Sequence, residues 1–427
     1  MSSEADGAVT KEMEQGGELV PQRRFPEFHN AGKWQQGTLG DWLFEPKKKN
    51  RSLQFGPEDV LSVSGEFGCV NQIQFMGRSY AGASVKEYNI VEIGDIVYTK
   101  SPLKACPNGI IKTNKRAAGI VSVLYAVYRP RKNTDPRFID YYFSSDVKLN
   151  NYLQPLVKKG PKNSILVNDS EVLRGAFAAP SFPEQQKIAE CLSSLDAVIA
   201  AEGERLAALK AHKKGLMQAL FPAPGQTTPR LRFPEFEGAG EWKMTTVGRA
   251  AETFSGGTPS TGEKSFYGGG IPFIRSAEIA SETTELTLTD TGLKRSSAKM
   301  VQAGDVLLAL YGANSGDVAL AKLEGAINQA ILCLRHANSN AFLYQFLSSQ
   351  QEVITRTYLQ GGQGNLSADI VKSIPLPSPD VDEMKLIASC LTEVDDLISA
   401  QHQRLTALKT HKLALMQQLF TPPWVSA

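Results

Sequence analysis

The chain has 427 residues, of which 42% are apolar and 21% charged, the composition of folded globular domains rather than of disordered or fibrous chains. At about 150 residues per domain this predicts two or three domains, each long enough to bury a core. No apolar run approaches the roughly 18 residues of a membrane span, and the opening MSSEADGAVTKEME is acidic rather than signal-like. Five cysteines (Cys69, Cys106, Cys191, Cys333 and Cys390) form no CxxC pair, which speaks against a disulfide framework or zinc ribbon and for a cytoplasmic location.

Charge is unevenly spread. Residues 1–22 hold one lysine and five acids and read as a disordered acidic tail. Residues 23–180 hold 23 Lys/Arg against 14 Asp/Glu, whereas residues 223–376 hold 13 against 14. One region is thus distinctly basic, which permits a polyanionic partner without requiring one.

In chain order, Arg-Phe-Pro-Glu-Phe at 24–28 opens a module and recurs at 232–236, an offset of 208. Trp34 and Gly40 follow the first copy as Trp242 and Gly248 follow the second. Short runs rich in β-branched and aromatic residues (96–99, 120–128, 305–311 and 330–334) predict strands between Gly, Pro and Asn turns. One amphipathic helical stretch is expected in each module, at 137–157 and 340–359. The clearest match pairs 187–221 with 386–420 at a constant offset of 199. Four landmarks repeated in the same order mark a duplication, with one middle segment about ten residues longer.

The boundaries follow: a module at 23–180, a helix at 181–222, a second module at 223–376, a second helix at 377–421, and a tail at 422–427. Two copies of ~200 residues are too few and too long for a solenoid. In both helices apolar residues recur at alternating spacings of four and three over more than four heptads, as in a coiled coil ~50 Å long. Ser181 to Glu184 and Asp380 to Glu383 have capping-box spacing, and Pro222 and Pro422 stop the helices. The fold class is therefore α/β, with mixed α+β modules on long helices.

Gly257 to Ser265 nearly spells a phosphate-binding loop. It has one residue too many before Lys264, and Phe-Tyr-Gly-Gly-Gly stands where a helix must begin. Thr421-Pro-Pro-Trp424 lacks the acceptor side chain of an amino-methyltransferase loop and reads as a helix stop. The five histidines offer no metal-ligand spacing; His212 and His411 are repeat equivalents on the solvent side of the helices. Cys191 and Cys390 are likewise equivalents, read as small hydrophobes beside the apolar stripe. No nucleophile or paired-carboxylate constellation stands out, so no catalytic residue and no cofactor are assigned to this chain.

Basic clusters carry more information. Lys47, Lys48, Lys49 and Arg51 form one run, and Lys100, Lys104, Lys112, Lys115 and Arg116 a second group in loop-like sequence. Arg275, Ser276, Lys294, Arg295 and Lys299 are sparser counterparts in the second module. Cations for phosphates with Asn and Ser among them suit nucleic acid, although a charge run is commonly a solvated face.

Together these residues resemble the specificity subunit of type I restriction–modification systems over roughly 23–421. The matching elements are the duplicated RFPEF…W openings, GGTPST…YGGGIPFIRSAEI (256–279), the Gly-Asp turns, Asn328-Gln329, the GGQGNLS loop (361–367) and the LKxHKxxLMQxLF helix ends. The resemblance implies two target-recognition domains, each reading half of a bipartite double-stranded DNA site, with antiparallel helices as the spacer. It also implies two methyltransferase subunits, which supply S-adenosylmethionine chemistry, and motor–nuclease subunits for cleavage. A coiled-coil scaffold binding protein, or a methylation-only system, remains open on the residues alone. Four polar residues interrupt the heptad stripe: Glu202, Lys213, Gln401 and Lys412. An antiparallel register setting Glu202 beside Lys412, and Lys213 beside Gln401, is expected to partner each of them.

Overall fold

The computed structural model describes residues 19–82, 84–102, 105–160, 165–356 and 366–421. The expected tails lie outside the described residues apart from 19–22, as do Lys104 and most of the loop at 361–367. The chain divides into two compact units, residues 1–201 with 405–427 and residues 202–404. Both divisions fall within helices, Phe182–Leu220 and Val381–Leu419. Each unit therefore contains one module and a portion of each long helix.

In the first unit an antiparallel sheet runs Leu43–Phe44, Tyr125–Pro130, Ile96–Thr99, Ile110–Thr113. A hairpin, Leu61–Ser64 with Gly68–Asn71, and a pair, Asn89–Val91 with Gly119–Val121, stand beside it. The apolar run at 120–128 is two strands rather than one, because Ser122 to Leu124 form a turn that leaves Val123 and Leu124 exposed. The expected helix at 137–157 is likewise two, Pro136–Tyr142 and Asp146–Leu153, since Ser145 caps the second through the Lys148 amide.

The second unit holds two four-stranded sheets. One runs Ala251–Ser255, Ile331–His336, Val306–Ala309, Val318–Leu320; the other runs Leu286–Leu288, Tyr267–Ile274, Gly325–Ile327, Lys299–Val301. Its module helix is Asn340–Ile354. Within 256–270, Gly256, Gly257 and Gly269 serve close packing rather than phosphate. A Cβ on Gly256 would lie 1.8 Å from the Ile327 carbonyl oxygen, and one on Gly269 2.4 Å from that of Leu288. Lys264–Phe266 is a single 3-10 turn that passes straight into the strand Tyr267–Ile274, where a phosphate loop needs an α-helix.

The repeated landmarks have repeated jobs. Gln35–Thr38 pairs with Ala176–Ala179, and Lys243–Thr246 with Pro375–Ser378, so each module's opening strand pairs with its closing one. Arg24 donates to both carboxylate oxygens of Glu184 (2.8 and 2.6 Å), and Arg232 to those of Glu383 (2.8 and 2.6 Å). Trp242 adds an indole hydrogen bond to Glu383 at 3.1 Å. The glutamates read as helix caps thus take arginines from the RFPEF segments. At the Gly-Asp turns, Asp95 binds Arg129 and Asp305 binds Arg335, each through two guanidinium nitrogens. Burial pushes the Asp305 carboxyl up, but Arg335 and the Gln302 amide outweigh it and hold it below the ordinary range.

Trp34, Trp42, Phe138, Tyr142, Phe177 and Phe420 build an aromatic core in the first unit, joined by Ile188 and Leu192 of the first long helix. Trp242, Phe342, Phe346 and Phe221 do so in the second, with Ile387 and Leu391. Burying such side chains contributes about 1.5–3 kcal/mol each. The Arg24–Glu184 side chains are 6% and 2% exposed, so losing one partner strands a buried charge. Glu184→Leu should therefore lower stability by about 3–5 kcal/mol, and Arg24→Met on top of it should restore most of the loss. Urea unfolding followed by tryptophan fluorescence measures both; a double variant as unstable as the single one would contradict this account.

Candidate nucleic-acid interface

The helix stripe behaves as its periodicity requires. Heptad positions from Ile188 to Leu220 and from Ile387 to Leu419 are buried or half-buried, while His212 and His411 are exposed. Within the second unit Gln401 donates to the Glu202 carboxylate (2.6 Å) and carbonyl (3.0 Å), and Arg404 pairs with the same carboxylate at 2.8 Å. Glu202 thus meets its own repeat equivalent, not Lys412, and Lys213 does not take Gln401. The expected register is corrected in both pairings.

The lysines leave the stripe for flanking aspartates. Lys213 binds both oxygens of Asp395 at 2.7 Å, and Gln345 of the module helix donates to Asp395 at 2.7 Å. In the first unit Lys412 binds Asp196 at 2.5 Å, and Tyr141 donates its hydroxyl to Asp196 at 2.7 Å. Lys412 lies 5.2 Å from the Tyr141 ring centre and Lys213 5.7 Å from that of Tyr344, distances at which cation–π attraction operates. Each aspartate therefore joins both long helices to a module. Sequence reasoning missed them; their constant offset of 199 was the available signal.

The predicted cations scatter over several settings. Lys48 pairs with Glu92 at 3.1 Å, Arg51 lies 3.8 Å from Glu87, and Lys49 donates to the Glu87 carbonyl at 3.0 Å. Lys47 is exposed with φ 49°, on a turn anchored by buried Asn50, which bonds Phe55 and Val85. Lys100 sits half-buried on Asp169 at 2.5 Å. Lys112, Lys115 and Arg116 converge on one cleft of about 180 Å³, shared with Phe67, Thr113 and the acids Glu66 and Asp140. Of these cations Lys115 is held by Asp140 at 2.5 Å. In the second module Arg275 is committed to Glu278 (3.0 Å) and to Glu285. Ser276 begins a short helical turn, and Lys294, Arg295 and Lys299 are exposed. The structure thus gathers three cations of the first module at a single concavity.

Residues 239–410 match the type I restriction modification DNA specificity domain. A putative type I restriction enzyme specificity subunit, MjaX of Methanocaldococcus jannaschii, is 25% identical over 302 residues, 69% of each chain. The MjaIX specificity subunit of the same organism is 26% identical over 190 residues, 42% of this chain and 44% of that one. The crystal structure of a type I specificity subunit from M. genitalium superposes with a TM-score of 0.60 at 13% identity, covering 95% of this chain and 100% of that one. A chain from a study of type I complex assembly gives 0.54 at 17% identity, covering 91% and 98%. The second module thus carries the type I DNA specificity domain, and the chain is similar to type I specificity subunits in sequence and in fold.

A wider cleft of about 760 Å³ lies in the first unit, lined by Glu66, Tyr142, Lys148, Asp196, Lys412 and Phe420 among others. Lys148 bonds the Thr421 carbonyl and lies 5.1 and 5.4 Å from the Tyr142 and Phe420 ring centres. Burial pushes its amine down to about 8. A lysine depressed below its unfolded value near 10.4 binds fewer protons when folded, so its burial costs stability at neutral pH and the cost fades as pH rises from about 8 to 10. The stability difference between Lys148→Met and the natural chain should therefore shrink across that window. A difference constant from pH 7 to 10 in urea titrations would contradict the assignment.

Proposed function

We propose that this chain is the DNA target-recognition subunit of a type I restriction–modification complex, reading a bipartite asymmetric target with one half-site per module. The observation that carries this reading is the pairing of two diverged modules with shared long helices, one module presenting the convergent cations Lys112, Lys115 and Arg116. The modules at 23–180 and 223–376 are the recognition domains and the helices at 181–222 and 377–421 the spacer, a coiled coil in which Glu202 and Gln401 fix the register. The chain is the non-catalytic member of its complex. Adenine methylation with S-adenosylmethionine falls to methyltransferase subunits, and cleavage to restriction subunits. Val198 and Leu397, repeat equivalents that are 41% and 56% exposed on the long helices, offer equivalent footholds for two methyltransferase subunits. The reading places the complex in the cytoplasm, and no described helix is long and apolar enough to cross a membrane.

Methylome sequencing of a host carrying this chain and its methyltransferase should show one bipartite motif. Replacing residues 23–180 with another family module should change one half of that motif and keep the other. Both halves changing, or neither, would overturn the modular reading.

Phosphate contacts strengthen binding uniformly across sequences and appear in the salt slope, roughly one unit for each phosphate that a cation neutralises. Lys112→Gln, Lys115→Gln and Arg116→Gln combined should flatten the slope by about two units, since Asp140 already holds Lys115, with the preferred sequence unchanged. Neutralising Lys47, Lys48, Lys49 and Arg51 should flatten it less, because Glu87 and Glu92 already sit beside that run. Binding titrations from low to moderate salt read both. An equal or larger flattening from the second set would move the phosphate contacts to that run.

A further inference from the structure

The first module leaves a cluster of large apolar side chains in water within fourteen residues. Phe67, Phe75, Met76 and Tyr80 are 49%, 47%, 48% and 55% exposed. Single exposed apolar residues are ordinary, whereas a contiguous group marks a contact surface. The described residues of the second module carry no such cluster of aromatics.

The segment is held ready rather than left loose. Phe67 occupies the turn of the hairpin Leu61–Ser64 and Gly68–Asn71, where Ser64 Oγ accepts from the Glu66 and Phe67 amides at 3.3 and 3.2 Å. Gly68 completes the turn at φ 69°, a conformation that favours glycine. The short helix Gln72–Met76 follows, capped by Asn71 through the Ile73 and Gln74 amides and ended by Gly77 at φ 77°. Gln72 accepts the Tyr80 amide at 2.6 Å, and Arg78 lies 4.5 Å from the Tyr80 ring centre. The Phe67 and Phe75 rings stand 5.6 Å apart, so two exposed aromatics are presented together at little further ordering cost.

What sets the occupant is the neighbouring charge. Phe67 lines the same cleft as Lys112, Lys115 and Arg116. A polyanion whose phosphates meet those cations brings its bases to the Phe67–Phe75 pair. Asp140 already holds Lys115, and a neutral protein surface would leave Lys112 and Arg116 without an anionic partner. Aromatic faces stack on any base, and apolar side chains wedged between base pairs unstack a step and bend the duplex.

We infer that Phe67 and Phe75 form an aromatic wedge that unstacks a base step in or beside the half-site read by the first module. This deepens the DNA-recognition reading and rests on it. The wedge makes part of the selectivity a matter of deformability, since pyrimidine–purine steps unstack most readily.

The test uses the full chain assembled with its methyltransferase subunits and duplexes of the methylome-defined target. 2-Aminopurine replaces, one at a time, each purine of the first half-site and its flanks other than the methylated adenine. Binding should raise the emission at one step as stacking is lost. Phe67→Ala with Phe75→Ala should remove that rise while affinity falls by about five- to 150-fold, and Phe67→Trp should retain it. Tight, sequence-specific binding with no rise at any position overturns the wedge and leaves DNA recognition standing. Loss of methyltransferase association in the alanine variant, with unstacking intact, overturns it in favour of a protein contact. Absence of sequence-specific binding by the natural chain overturns the recognition reading itself.

Discussion

One carboxylate in each unit holds three elements at once. Asp196 takes a lysine from the other long helix and a tyrosine hydroxyl from its module; Asp395 takes a lysine and a glutamine amide. The Lys213 and Lys412 side chains are only 13% and 22% exposed, so their charges require such partners. A chain that reads DNA with a module mounted on helices needs that mounting to be stiff. Hydrogen-bonded charge pairs supply direction as well as energy, which an apolar contact between the same elements would not.

The Arg24–Glu184 and Arg232–Glu383 clamps complement this arrangement at the first turn of each long helix. They tie the RFPEF segment to the first turn of a long helix, while the strand pairs Gln35–Thr38 with Ala176–Ala179 and Lys243–Thr246 with Pro375–Ser378 close the modules beside it. The conspicuous repeated motifs are thus attachment hardware. The parts that differ most between the modules, the hairpin and helix at 61–76 and the sheet built on Tyr267–Ile274, lie between those attachments. Divergence there leaves the mounting untouched.

Much of this is legible in the residues because its physical signal is periodic or duplicated. The long helices follow from the apolar stripe, and Arg24 and Trp34 stand out by their copies 208 residues on. Three things are not legible. The break between Tyr142 and Asp146 depends on Ser145 acting as a cap, which a hydrophobic pattern does not register. The heptad pattern offers lysine partners only within the stripe, yet a lysine stem is long enough to reach aspartates flanking it. Which cations converge is hidden as well: Lys112, Lys115 and Arg116 share a cleft with Phe67 from a distant hairpin, whereas Lys100 and Arg275 are spent on nearby carboxylates.

The same distinction bears on how the two modules divide the work. The first has a net basic composition and a cleft where cations gather; the second is near neutral, with Arg275 neutralised by Glu278 and Glu285 and with Lys294, Arg295 and Lys299 left exposed. Long-range attraction to a phosphate backbone scales with uncompensated charge. On the proposed reading the first module therefore supplies most of this chain's own electrostatic grip, and the second relies more on close polar contact. On that reading the two half-sites would be held by different balances of charge and shape.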